Sequence, residues 1–338
     1  MTAAAGAEAL KLGFYFGEHD RHRGRFLSET ALDLFARHRL AAGVLLRGAE
    51  GFGAAQLLQT DRLLSLSEDL PLVALAVGDP AAVEACAGEL REAADGGLLT
   101  LERARLHGPV RRTAHEPHEE VKLTVYCGRG ARRDGAPEHV GVVAALHRRG
   151  VAGATALVGV DGAASGRRLR ARFFARNERV PALVVAVGER ERIAAALADL
   201  ERGGQRPTAT LEAVRVLRRD GAALAAPADR SGVRGTRLTV YCSERSEHRG
   251  RPLYLELIRR LRAEGAAGAT ALRGVWGYHG DHAPHGDRLL SLRRHVPIVV
   301  TVIDDAARAG RWLDIAAELT DETGLLTVER VPRMVTLE

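Results

Sequence analysis

The residues of this chain with the most evident chemistry are arginines carried in glycine-bearing loops. The hexapeptide DRLLSL occurs twice, from Asp61 and from Asp287, and sets Arg62 and Arg288 each beside a carboxylate that can orient it. A guanidinium held this way meets a phosphate or carboxylate through two parallel hydrogen bonds. Ahead of them stand Gly48 and Gly51, and Gly274 and Gly277, which either let the backbone approach a phosphate closely or simply shape the exit from a strand. Midway between the two copies the segment recurs in altered form as "GRRLRARFFARNERVP" from Gly166, with Arg172 in place and Ala171 where the other copies have Asp. Gly159 and Gly162 precede it, and Arg167, Arg168, Arg170, Arg176 and Arg179 make it the most basic stretch of the chain. The candidate anion-binding set is therefore Gly48, Gly51, Arg62, Gly159, Gly162, Arg172, Gly274, Gly277 and Arg288. A local Asp–Arg salt bridge without a ligand is the competing reading of the hexapeptide.

A second constellation is His279, His282 and His285 with Asp281 and Asp287, a set of nitrogen and oxygen ligands suited to a divalent metal. Their spacing of three fits a helix face, but Gly280, Pro284 and Gly286 oppose a helix, so a metal-binding protein is an alternative only. Cys86, Cys127 and Cys242 form no CxxC pair. Cys127 and Cys242 align with Phe16, which marks them as core rather than nucleophiles. There is no GxxxxGK[ST] loop and no recurring Ser-His-Asp or paired-carboxylate set, so an enzyme is not expected. The net charge of +6 is spread through an Arg-rich chain, and nucleic acid is not the expected partner. The longest apolar runs, such as LPLVALAV from Leu70, are too short to span a bilayer. The N-terminus lacks a basic segment followed by an apolar one. A reduced, cytoplasmic setting is the expectation.

These residues are positioned by a threefold internal repeat. "LKLGFYFGEHDRHRGR" from Leu10, "VKLTVYCGRGARRDGA" from Val121 and "TRLTVYCSERSEHRGR" from Thr236 open three copies. Each continues through an AG-led strand ending at Gly51, Gly162 or Gly277. An apolar run follows, LPLVALAV, VPALVVAV or VPIVVTVI, and then a closing strand, LLTLERARL, TATLEAVRVL or LLTVERVPRM. Recurrence in fixed order and spacing is the mark of tandem domains. The expected units are 8–108, 119–218 and 235–336, joined by linkers at about 109–118 and 219–234. Strand-like alternation (Leu238, Val240 and Cys242 on one face, Thr239 and Tyr241 on the other) and helical stripes (Leu253, Leu257, Ile258, Leu261) give βαββαβ in each copy. The second helices are expected to begin near Pro80, Glu189 and Asp304. The third strands are apolar throughout, so both of their faces need cover. One is served by the copy's own helices and the other, most economically, by the sister sheets.

With these blocks in view, the chain resembles the family catalogued as domain of unknown function 190, whose members are similar to the PII signal-transduction proteins. The resemblance implies an α+β fold of three tandem ferredoxin-like (βαββαβ) domains, antiparallel sheets packed around a pseudo-threefold axis in a monomeric pseudo-trimer. It also implies a small anionic ligand, commonly an adenine nucleotide, in the clefts between units, and signalling through the loops between strands two and three. The partner so implied is an unidentified protein. A ligand-independent interaction module of a membrane transport system is a further alternative.

Overall fold

The computed structural model describes residues 7–53, 56–57, 59–60, 69–106, 120–133, 135–169, 180–204, 207–225, 234–279, 284–286 and 296–337. The first repeat contains β1 (Glu8–Gly17), α1 (Leu27–Arg37), β2 (Ala42–Arg47), β3 (Glu50–Phe52), β4 (Pro71–Gly78), α2 (Pro80–Ala93) and β5 (Gly97–Leu106). The second contains β6 (Glu120–Gly128), α3 (Glu138–Arg148), β7 (Gly153–Val158), β8 (Asp161–Ala164), β9 (Pro181–Glu189), α4 (Arg190–Arg202), β10 (Thr208–Ala213) and β11 (Arg215–Arg219). The third contains β12 (Gly235–Ser243), α5 (Leu253–Ala263), β13 (Ala269–Arg273), β14 (Trp276–His279), β15 (Pro297–Asp305), α6 (Ala309–Leu319), β16 (Leu325–Val331) and β17 (Arg333–Leu337). Three repeated α/β units with antiparallel pairing thus match the sequence pattern.

Two boundaries differ from expectation. The last helix starts at Ala309, later than Asp304, because the buried Asp304 carboxylate is engaged by the Trp312 indole N–H at 2.9 Å and the Ala267 amide at 3.1 Å. The fourth strand of the second and third repeats is not continuous. It breaks after Ala213 and after Val331, where Pro332 cannot donate to a ladder, and β11 and β17 then leave for a neighbouring sheet. In the stretch read as the second linker, Ala222–Ala223 pair with β11.

Within each repeat the strands lie in one antiparallel order, β2-β4-β1-β5, β7-β9-β6-β10 and β13-β15-β12-β16. The short strand after each second strand leaves its own repeat. β8 pairs with β2, β3 with β13 and β14 with β7, so the second repeat lends to the first, the first to the third and the third to the second. The chain ends of the repeats make a second exchange: β11 lies on β16, β17 on β5, and the end of β5 meets β10.

Packing follows the exchange. Each repeat has its own core between helices and sheet, but neighbours contribute too. Leu337 enters the first and Leu217 the third. Each core also takes one buried side chain from a lent short strand: Ala163 in the first, Tyr278 in the second and Phe52 in the third. These occupy the same position in the repeat. Where the lent residue is small, α1 supplies bulk: a Cβ on Gly43 would lie 2.7 Å from the Phe35 ring. A further core pools all three repeats, with Val73, Leu183 and Val299 from the equivalent third strands buried together alongside Val44, Leu157 and Leu272. That is the cover the wholly apolar third strands require.

The crossing backbones approach closely. A Cβ on Gly277 would sit 2.3 Å from the Ala154 carbonyl oxygen, and one on Gly51 2.6 Å from that of Ala269. Gly277→Val is therefore expected to lower stability by about 1–3 kcal/mol or more, since strand and neighbour must part. Gly141→Ala in α3, where a Cβ meets nothing within 4 Å, is expected to raise it by about 0.5–1 kcal/mol. Denaturant unfolding of the two variants checks the contrast.

Candidate functional site

The most distinctive chemistry lies where the sheets meet, and it was not among the residues singled out from the sequence. Lys11, Lys122 and Arg237 occupy the same position in the opening strands, and Glu102, Glu212 and Glu329 the same position in the fourth strands. The register sets each cation directly opposite its own carboxylate: Lys11 faces Glu102, Lys122 faces Glu212 and Arg237 faces Glu329. Cross-strand placement of opposite charges is favourable in any sheet. Here all six are buried, none more than 6% exposed.

Each cation also reaches the next repeat. Lys11 is 3.6 Å from Glu102 and bonds to Glu212. Lys122 is 3.1 Å from Glu212 and bonds to Glu329. Arg237 closes the sequence at 2.8 Å from Glu102 and donates to the Tyr15 hydroxyl oxygen at 3.0 Å. The arrangement is a ring of alternating charge through all three repeats, joined by five ion pairs and completed at Arg237 and Glu329 by their facing places in the ladder.

Burial pushes the Glu212 carboxyl up, but Lys11 and Lys122 outweigh it and hold the group well below the usual carboxylate range. Burial likewise opposes the charged forms of Lys122 and Arg237. The carboxylates beside them prevail and hold both well above their ordinary values. At Lys11 burial wins, and the amine lies below its usual value despite Glu102 and Glu212. The Tyr126 and Tyr241 hydroxyls, buried beside the ring, are pushed up by burial.

Carboxylate oxygens of Glu102, Glu212 and Glu329 lie within 4.8 Å of one another, close enough to share a cation. The three fixed cations of the ring already neutralise them, so a divalent ion would add uncompensated charge in a dry site. The geometry is that of a structural lock. His279 ends β14, and His285 pairs opposite Gly277. His282, Asp281 and Asp287 lie outside the described residues. The cysteines are all buried, with the Cys86 and Cys242 thiols pushed up to about 12 by burial, which removes their nucleophilic form.

Arg62, Arg172 and Arg288, with Asp61, also lie outside the described residues. The six glycines of the predicted set are described and form the base of the three crossings. A Cβ on Gly48, Gly159 or Gly274 would lie 2.6 Å, 2.6 Å or 2.7 Å from the proline that opens the following strand of the same repeat, Pro71, Pro181 or Pro297. A Cβ on Gly162 would lie 2.7 Å from the Gly43 carbonyl oxygen in the first repeat. Close strand packing accounts for all six. Of the Arg-rich stretch, Arg167 and Arg168 are described, and Arg168 is taken up by Asp161 at 2.8 Å and by Asp33 on α1.

Residues 9–106, 120–216 and 235–333 each match the family model described as "Uncharacterized ACR, COG1993", the domain of unknown function 190. The chain belongs to this family, in three tandem copies. A relative named UPF0166 protein from Aquifex aeolicus (strain VF5) is 33% identical over 95 residues, 28% of this chain and 88% of that protein. The matched part of that relative is thus about one repeat long, whereas this chain carries the unit in triplicate. A crystal structure of aspartate kinase from Synechocystis overlaps 96% of this chain at 10% identity with a TM-score of 0.26, and the chain spans 44% of that protein. Among the described residues no helix is long and apolar enough to cross a membrane.

Removing one partner from a buried charge pair strands the other, at a cost of about 3–5 kcal/mol. Glu212→Gln is expected to lose stability on that scale, because both Lys11 and Lys122 depend on it. Since the folded Glu212 carboxyl lies below its reference value of 4.5, its contribution is complete above that value and is lost as the pH falls through the lower folded one. Unfolding followed from neutral pH into acid is expected to show this component in the wild type and not in the variant.

Proposed function

We propose that the chain is a single-chain counterpart of a PII-type regulatory trimer. Its three ferredoxin-like units stand about a pseudo-threefold axis and sense a small anionic ligand, an adenine nucleotide foremost, in the clefts between repeats. The loops between second and third strands carry the signal to a protein partner. The observation that carries this reading is the cyclic exchange, in strands, core side chains and ring charges, which makes one chain equivalent to a closed three-part assembly.

The mechanism is a population shift. A ligand held at the foot of a loop favours one loop conformation by the difference in its affinity for the two states, and a partner that reads the loop reads occupancy. The crossing glycines place backbone from two repeats at each cleft, so a ligand there touches both. Arg62, Arg172 and Arg288, which precede the third strands in sequence, supply positive charge to these segments. Loss of Asp before Arg172 leaves the three clefts chemically different.

Isothermal titration of the purified chain with ATP, ADP, AMP and cyclic nucleotides tests the ligand. Heat is expected with at least one of them, and silence with all would overturn the nucleotide assignment. Light scattering tests the architecture: a compact particle of one 36.3 kDa chain is expected, and a stable trimer of chains would contradict it.

A further inference from the structure

We infer that the cleft between the second and third repeats is the ligand site, and that it holds a compact anionic group, phosphate or carboxylate, against Arg219. This rests on the reading of inter-repeat clefts as ligand sites and adds which cleft and which side chain. A cavity of about 30 Å³ lies at this junction, lined by Thr155 and Val187 of the second repeat, Arg219 of its tail, and Tyr241, Cys242 and His279 of the third. A water needs roughly 10–15 Å³ of such space, so the cavity admits about two waters or the head of a larger ligand.

Arg219 is fixed rather than mobile. It sits opposite Leu325 in the β11–β16 ladder, and its Nη2 donates to Glu120 at 2.6 Å. Its Nε is buried and has no hydrogen-bond partner among the described residues. A buried donor left unpaired is costly, and an acceptor in the cavity would relieve it. The neighbouring Asp220 also lines the cavity, but its carboxylate accepts from the Gly324 amide at 3.2 Å.

At the other two clefts the described residues at several of these positions differ. Between the third and first repeats Thr336, opposite Leu98, stands where Arg219 does; Gly53 replaces His279, and Phe16 replaces Cys242. Between the first and second, Ala164 replaces His279 and Val44 replaces Thr155, while the counterpart of Arg219 lies outside the described residues. Among the described residues, the pairing of Arg219 with His279 at one cavity belongs to this junction.

The test is titration calorimetry of the full chain with inorganic pyrophosphate, ATP and citrate, which separate phosphate, nucleotide and carboxylate sources. The same titrations are run on Arg219→Leu, Arg219→Lys and Thr336→Ala. At least one probe is expected to bind the wild type, and Arg219→Leu to weaken it about tenfold or more, the scale of a lost charge-assisted bond. Arg219→Lys, which keeps the charge beside Glu120 and guards against a folding defect, should restore part of the affinity. Thr336→Ala should bind as the wild type does. Unchanged affinity in Arg219→Leu, equal losses in Thr336→Ala, or a wild type that binds none of the probes overturns the assignment. If ATP binds without regard to Arg219, the nucleotide reading stands and this cleft falls. If pyrophosphate or citrate binds through Arg219 and no nucleotide does, the cleft stands and the nucleotide reading falls.

Discussion

Six charges buried at one point constrain everything else in this molecule. Removing an ion from water costs several kcal/mol even after relaxation, and only close, well-placed partners offset it. No repeat can satisfy its own pair fully. Lys11 and Lys122 each meet their own repeat's carboxylate and a neighbour's, and Arg237 returns the series to Glu102. The three repeats are therefore tied in one cyclic order through their opening and fourth strands.

The strand exchange and the pooled core express the same order in other forms. Phe52, Ala163 and Tyr278 enter neighbouring cores at equivalent places but with different volumes, and Phe35 fills what Ala163 leaves. A repeat lent to the wrong neighbour would meet a mismatched pocket. Charge sets that the repeats close, and side-chain size helps to set which repeat stands where. Tandem fusion relieved the copies of the need to be identical, and the different residues at equivalent places, His279 against Gly53 and Ala164, show what that freedom permits.

Much of the fold was legible because repetition gave three readings of each element. The alternation in "RLTVY" and the apolar third strands were sufficient for the βαββαβ order and for the need of a shared inner face. The exchanged short strands were not legible, since three or four residues after a glycine carry no periodic signal. The helix start at Ala309 was missed because Asp304 makes a tertiary bond to Trp312 rather than a local cap. The ring itself was within reach: a Lys or Arg at one aligned position of the opening strands and a Glu at one aligned position of the closing strands, in all three copies. Arginines beside glycines in loops suggest ligands more readily than charges inside strands suggest a lock.

The claim on which the account depends is that the ring closes between the first and last repeats. A double-mutant cycle on Arg237→Met and Glu102→Gln, read by denaturant unfolding, tests it most directly. Residues in one ion network couple by about 0.5–3 kcal/mol, and independent sites add to within about 0.3–0.5 kcal/mol. The account predicts coupling of at least about 1 kcal/mol, with the double variant less destabilised than the sum of the single ones. Additive losses would show that the two charges, 135 positions apart in sequence, do not meet, and would contradict closure.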